Sequence, residues 1–339
     1  MKLSIGIVGM PNVGKSTLFK ILTKNDVNIA NYPFCTIDPN VGVVTVPDER
    51  MDKLAAMSKS AKVIPAVVEF YDIAGLVKGA SAGEGLGNQF LTHIRETNAV
   101  LMVLRVFQNA EIIHVENSVD PIRDMEIINA ELALKDLDSV EKMYKKAEGE
   151  TKTSGPAQKQ AIKDFEAIKL VKAGLEAGEN LGAAKFIEPL ENEKVRTLNL
   201  LTGKKQVYLL NGKPEDVSEE LKKKIAERGA GFVVADLSVA TEVPELVKKA
   251  YEVLGLMSFF TTGLDETRAW TIRQGSKAPQ AAGAIHTDFE KKFIRAEVIN
   301  WQKLLEAGSW SVAKQKGWLR LEGKDYVFQD GDVTEIRHG

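Results

Sequence analysis

Residues 9–16, Gly9-Met10-Pro11-Asn12-Val13-Gly14-Lys15-Ser16, constrain this chain more than any other stretch. They follow an apolar run from Leu3 to Val8 and precede a segment whose Leu18, Phe19, Ile21 and Leu22 read as the buried side of a helix. A buried strand, a glycine-rich turn and a helix in that order aim backbone N–H groups and the helix dipole at one place, where an anion can be held. The G-x-x-x-x-G-K-S spacing therefore implies a polyphosphate cradle built from Asn12, Val13, Gly14, Lys15, Ser16 and Thr17. Within it Lys15 can reach the β- and γ-phosphates, and the Ser16 hydroxyl can bind Mg²⁺.

Two further segments extend the pattern. Val67 to Tyr71 reads as another buried strand and leads into Asp72-Ile73-Ala74-Gly75. A carboxylate at the end of a neighbouring strand is where a water-bridged Mg²⁺ contact belongs, and the Gly75 N–H can then meet the γ-phosphate. Between the two motifs, the turn-rich loop from Asn31 to Asp38 carries Thr36, the candidate to close over the metal. Ser16, Thr36 and Asp72 are thus the metal candidates, and Lys15 and Gly75 candidates for the chemical step. Leu76 stands where many regulatory GTPases place a water-orienting glutamine, so slow intrinsic turnover is expected. Gly79, Gly83, Gly85 and Gly87 suit a switch that orders on the γ-phosphate; the alternative is an ordinary glycine-rich surface loop.

The 339 residues suffice for two or three domains. Lys plus Arg numbers 45 against 47 for Asp plus Glu, a net charge of −2, which excludes a global basic field for nucleic acid. Any RNA contact must come from local patches such as 222–224, 248–249 or 291–292, and such patches are usually solvated helix faces. The single cysteine, Cys35, rules out an internal disulfide framework and fits a reducing compartment. The N-terminus enters a strand almost at once, without a signal peptide, and the longest apolar run, Ala99 to Phe107, contains Arg105 and is too short to span a bilayer. A cytoplasmic protein with no membrane partner is expected.

Strand-like runs at 3–8, 41–46, 66–72, 99–106, 206–210 and 231–236 alternate with helical patterns, the mark of a mostly parallel, doubly wound α/β sheet. A strand-poor, charged stretch interrupts it between Asn117 and Gly203. There Ala130, Ala133, Leu137, Val140, Tyr144 and Ala147 fall at three- and four-residue steps, a coiled-coil seam. After a break at 151–156, Ala161, Phe165, Ile168, Val171 and Leu175 line a second helix, so an antiparallel hairpin is expected. The last eighty or so residues suggest a small α+β module with strands at 258–262, 269–273, 295–298, 326–328 and 333–337. A capping box at Thr287-Asp288-Phe289-Glu290 opens its helix. The expected division is a nucleotide-binding domain at 1–120 and 204–255, a helical insertion at 121–203, and a C-terminal module at 256–339.

Several segments together resemble one family. They are 9–17, Asn31-Tyr-Pro-Phe-Cys-Thr-Ile-Asp-Pro-Asn40, Asp72-Ile-Ala-Gly-Leu-Val-Lys-Gly-Ala-Ser81, Gly83-Glu-Gly-Leu-Gly-Asn88 and the stretch from Ala278 to Phe289. The whole chain, 1 to 339, resembles the Obg-like ATPases of the YchF type, translation-factor-class P-loop proteins. The resemblance implies that the insertion is the family's coiled-coil domain and that the C-terminal module is its β-grasp TGS domain, associated with RNA or ribosome binding. It implies slow hydrolysis of ATP, sometimes GTP, on ribosomal particles, the large subunit being the expected partner. It also makes His114 the candidate to position water, although a lone histidine among apolar neighbours is often structural. Asn12 occupies the position that helps hold K⁺ in potassium-stimulated relatives; alternatively it stabilises the loop turn.

Base choice reads from the end of the strand at 206–210. Guanine-specific members of the wider P-loop superclass carry Asn-Lys-x-Asp there, the aspartate pairing with guanine, whereas this chain has Asn211-Gly212-Lys213-Pro214. Pro214 offers no carboxylate, so the guanine contact is missing. The family it resembles usually shows glutamate at that position, so the chain departs from that family's pattern. Glu215 and Asp216 come late, and Glu215 swinging in keeps GTP as a second substrate. ATP is favoured, with Asn211 and the backbone around Gly212 at the adenine edge and Ser238 in a further base-side loop. Besides an ATPase switch on the ribosome, the sequence admits a nucleotide-stabilised ribosome or RNA adaptor, a GTP-preferring switch, or a small-molecule kinase, for which no acceptor site is visible.

Overall fold

The computed structural model describes residues 4–24, 40–72, 94–109 and 111–339. Cys35, Thr36, Gly75, Leu76 and the glycines at 79–87 lie outside the described residues. Two compact units are present. Among described residues the first takes 4–24, 40–42 and 69–249, and the second takes 43–68 and 250–339.

The N-terminal strands are β1 (Ser4–Val8), β2 (Val41–Thr45), β3 (Lys62–Ile64), β4 (Val67–Asp72), β5 (Ala99–Arg105), β6 (Lys205–Asn211) and β7 (Gly231–Ala235). Six of them form a sheet in the order β2-β4-β1-β5-β6-β7, and β1 pairs with β4 and β5, β5 with β6, and β6 with β7, all parallel. Every strand expected in this sheet is present, with ends within two residues of the reading. The reason is burial on both faces, which makes parallel strands continuous apolar runs. All seven residues of β5 are buried. From β1 the chain proceeds to β4 on one side and later to β5 on the other, so the strand order reverses beside β1. In an open α/β sheet that reversal leaves a crevice at the carboxyl ends of the strands, where ligands bind. The phosphate loop follows β1 and so starts at that crevice. This is the P-loop NTPase fold.

The helices of this region are α1 (Lys15–Leu22), α2 (Glu49–Ser58), α3 (Pro121–Thr151), α4 (Gln158–Glu176), α5 (Ile187–Glu191), α6 (Glu193–Thr197), α7 (Glu219–Glu227) and α8 (Pro244–Val253). Asp120 caps α3 by accepting from Ile122 N and Arg123 N, with Pro121 at the first helical position. The helical hairpin forms, but its seam is shorter than the spacing suggests: Ala130 is exposed. The first third of α3 buries Met125, Ile128 and Leu132 instead and packs toward β5 and α7. From Ala133 onward the seam does face α4, joining Leu137, Val140, Tyr144 and Ala147 to Phe165, Ile168, Val171 and Leu175. The core also takes Leu181, Phe186 and Val195, because the chain folds back through α5 and α6 against α4.

The second unit adds β8 (Leu256–Thr262), β9 (Glu266–Arg273), β10 (Phe293–Asn300), β11 (Arg320–Glu322) and β12 (Asp332–His338), with α9 (Ala278–Ile285), α10 (Thr287–Lys291), α11 (Trp301–Ala307) and α12 (Trp310–Gln315). Its sheet runs β11-β10-β12-β8-β9-β3, mixing antiparallel and parallel pairs. Two expectations fail here. Residues 326–328 form no strand, only a single bridge from Val327 to Lys277, whereas the three-residue β11 pairs with β10. Thr287 does not cap α10; the His286 ring accepts from Asp288 N, which makes Thr287 the first helical residue. Among the described residues no helix is long and apolar enough to cross a membrane.

Candidate nucleotide-binding site

The phosphate loop owes its shape to two backbone positions. Asn12 has φ 62° and Gly14 φ 107°, both in the left-handed region. A Cβ on Gly14 would stand 2.6 Å from Asn211 Nδ2, so only glycine meets both the dihedral and the space. Leu18 N donates to Gly14 O at 2.9 Å and starts α1. The Lys15 ammonium is buried and donates to Gly9 O at 3.0 Å and Met10 O at 2.8 Å. Burial pulls its pKa down to about 8, opposed by the charge of Asp72. Reciprocally, burial raises the Asp72 carboxyl, opposed by Lys15. Asp72 therefore ends β4 as a partly desolvated carboxylate within the electrostatic reach of Lys15.

A cavity of about 370 Å³ opens on this loop, lined by Asn12, Gly14, Lys15, Ser16, Thr17, Phe107, Ile112, Asn211, Leu237 and Ser238. It gathers segments at the carboxyl ends of β1, β5, β6 and β7. Phe107, Ile112 and Leu237 are its apolar wall, which motif reasoning missed because no spacing rule marks them; their place just past β5 and β7 was the available signal. Val13, buried, contributes through its backbone, its carbonyl accepting from Asn211 Nδ2 at 2.8 Å.

Asn211 is more committed than the sequence suggests. Besides its bond to Val13 O, its Oδ1 accepts from Leu237 N at 3.1 Å. The side chain thus ties the phosphate loop to the loop after β7, and its acceptor is spent on protein backbone rather than offered to a base. Gly212 has φ 153°, donates to Ala235 O at 3.1 Å, and would drive a Cβ to 2.5 Å from Val106 Cγ2. After it, Pro214–Asp216 is a single 3-10 turn in which Asp216 Oδ2 accepts from Lys213 N at 2.9 Å. Pro214 and Glu215 are exposed. Ser238 folds onto Asp236 through both N and Oγ, and these bonds lower the Asp236 pKa.

His114 lies buried beside a second cavity of about 430 Å³, lined also by Arg105, Asn109, Ile112 and Asn117. His114 does not line the phosphate-loop cavity. Its Nε2 pairs with Asp124 Oδ2 at 2.8 Å, and its Nδ1 accepts from Glu116 N at 3.2 Å. Both ring nitrogens are thus engaged by protein partners. The preceding carbonyl, Ile113 O, accepts from Asn12 Nδ2 at 3.1 Å and links this segment to the phosphate loop. The bond leaves Asn12 Oδ1 as its remaining acceptor.

Lys222, Lys223 and Lys224 face Glu219, Glu227 and Glu126, and Lys248 faces Glu245.

A family model described as "50S ribosome-binding GTPase" matches residues 4–140, and one named YchF-GTPase_C, described as "Protein of unknown function (DUF933)", matches residues 256–339. The Bacillus subtilis (strain 168) protein named Ribosome-binding ATPase YchF is 43% identical, covering 99% of both chains. The chain belongs to the YchF family of Obg-like ATPases. Obg-like ATPase 1 of Oryza sativa subsp. japonica is 42% identical, across 98% of this chain and 91% of its own. The solved structure of the Schizosaccharomyces pombe YchF GTPase superposes with a TM-score of 0.84 at 38% identity, covering 99% and 98% of the two chains. The YchF family thus spans both units of this molecule, and its fold matches over nearly the whole length.

Proposed function

We propose that this protein is a slow, Mg²⁺-dependent ATPase that cleaves the β–γ phosphoanhydride and uses its nucleotide state to set association with the ribosome, in the cytoplasm. The phosphate-loop geometry carries the reading: a left-handed glycine, a helix N-terminus and a desolvated lysine converge on one cavity. Lys15 neutralises the β- and γ-phosphates, and backbone donors at 13–17 hold them. Mg²⁺ fits the donor chemistry. Ser16 Oγ is a hard oxygen ligand, the partly desolvated carboxylate of Asp72 suits a contact through water, and Mg²⁺ commonly takes one or two protein oxygens beside phosphate and water. When bound it supplies charge to the triphosphate; Thr36 would complete its shell and Gly75 N–H would meet the γ-phosphate.

ATP is preferred over GTP. Pro214 supplies no carboxylate, Asp216 is occupied by Lys213 N, and Glu215 is exposed and outside the cavity lining. GTP remains a weaker substrate. His114 is assigned the water-orienting role: Asp124 holds the Nε2 proton, which leaves the lone pair at Nδ1, and releasing the 3.2 Å contact from Glu116 N frees it. Asn12 Oδ1 is assigned to a K⁺ ion. Residues 121–203 form the coiled-coil arm and 256–339 the TGS module, the expected RNA- and large-subunit-facing parts. The names of the relatives support the ribosome as partner.

Phosphate release from ATP and GTP, with K⁺ or Na⁺ and with or without ribosomes, tests the reading together with ribosome pelleting. Slow ATP turnover that Lys15→Ala abolishes is expected. Ribosome association independent of Lys15 at saturating ATP would instead favour the adaptor reading.

A further inference from the structure

Arg105 ends β5 at the crevice and is 1% exposed, one of the largest fully buried side chains described. Burying a cation is costly unless it is paired, and such a guanidinium normally meets a carboxylate. No ion pair to Arg105 occurs among the described residues. Its guanidinium donates instead to three carbonyls of the following loop: Nε to Phe107 O at 3.2 Å, Nη2 to Asn109 O at 3.0 Å and Nη1 to Ile112 O at 3.0 Å. The Phe107 ring also lies against it, 4.5 Å from Cζ to the ring centroid. A planar fork with fixed donor directions can hold three carbonyls at once; a flexible ammonium cannot reproduce that arrangement.

The carbonyls it gathers belong to the segment whose Phe107 and Ile112 line the phosphate-loop cavity. The next carbonyl, Ile113 O, is held from the other side by Asn12. Residues 107, 109 and 112 are therefore held by Arg105, and residue 113 by the phosphate loop. Arg105 itself does not line the nucleotide cavity; it lines the neighbouring one.

We infer that Arg105 is a positioning residue for nucleoside recognition, its guanidinium holding Phe107 and Ile112 in the apolar wall that receives the nucleoside half of the substrate while leaving the phosphate cradle untouched. The inference rests on the proposed nucleotide site and separates the two halves of the ligand. A residue important only for stability would alter both halves alike or neither. A residue acting through its positive charge would weaken the phosphate half.

The test is calorimetric titration of the full chain with MgATP and, separately, with magnesium tripolyphosphate, which has the anionic chain and no nucleoside. For Arg105→Lys, which keeps the charge and loses the fork, ATP affinity is expected to fall about tenfold while tripolyphosphate affinity stays within about twofold. A second arm needs no variant. In the wild-type chain, ATP is expected to slow amide hydrogen exchange across 107–113, and tripolyphosphate is not. A parallel loss of both affinities in Arg105→Lys, an unchanged ATP affinity, or equal protection by the two ligands overturns the inference and leaves the nucleotide reading standing. Wild-type binding of neither ligand overturns both.

Discussion

Lys15 sets the pH behaviour of the site. The folded ammonium titrates near 8 against 10.5 for a free lysine, because burial outweighs the attraction of Asp72. Its charged form therefore costs folding stability below about 8, and the cost is relieved as pH rises from 8 toward 10.5; Lys204, half-buried and also near 8, adds the same sign. Nucleotide binding reverses the preference, since phosphates favour the charged amine. ATP affinity is accordingly expected to weaken as pH rises through about 8, with proton uptake on binding above that pH, measurable by calorimetry in buffers of different ionisation enthalpy. Gly14→Ala forces a left-handed alanine whose Cβ meets Asn211, and a loss of about 2 kcal/mol is expected in urea melts together with loss of nucleotide binding. His114→Ala is expected to lower kcat by about a hundredfold with KM nearly unchanged. A change in KM alone would mean that the Asp124 pair merely holds the Asn12–Ile113 link in place.

At the scale of elements, α3 does two jobs along one helix. Its first third packs with the P-loop sheet, and the remainder pairs with α4. Between them Asp136, fully buried, accepts from Leu201 N at 2.9 Å, from Thr202 N at 2.8 Å and from Thr202 Oγ1 at 2.7 Å, with Arg95 at 3.5 Å. Asp136→Ala leaves those donors unsatisfied in a buried place and is expected to cost about 3 kcal/mol by chemical denaturation. Local chemistry was readable from the chain: the strand–glycine–helix order of the phosphate loop and the apolar runs of the parallel strands each depend on neighbours in sequence. What was not readable depends on distant partners. Asp136 looks like an ordinary polar heptad position, Asn211 like a base-reading residue, and Arg105 like an interruption in an apolar run, until the fold supplies their backbone acceptors and donors. Ala130 failed for the related reason that helical spacing marks an apolar side without saying which partner covers it. The strand expected at 326–328 failed because Tyr326 and Phe328 pack into the module's core from an irregular segment.

For the whole molecule, one parallel sheet supplies the crevice, and the helical arm grows from the same compact unit. The second unit builds its own sheet from the C-terminal strands and β3, around a core of Phe259, Phe328 and the small residues of α9. Neither cavity described above draws on that second unit, so removal of a nucleotide-site side chain should leave its folding intact. The central claim is that the cavity at the carboxyl edge of the first sheet holds a magnesium nucleoside triphosphate and prefers adenine. Equilibrium titration of the intact chain with MgATP and MgGTP tests it directly. One ATP per chain is expected, abolished by Lys15→Met, with GTP about tenfold weaker. ATP binding that survives Lys15→Met, or GTP binding tighter than ATP, would contradict it.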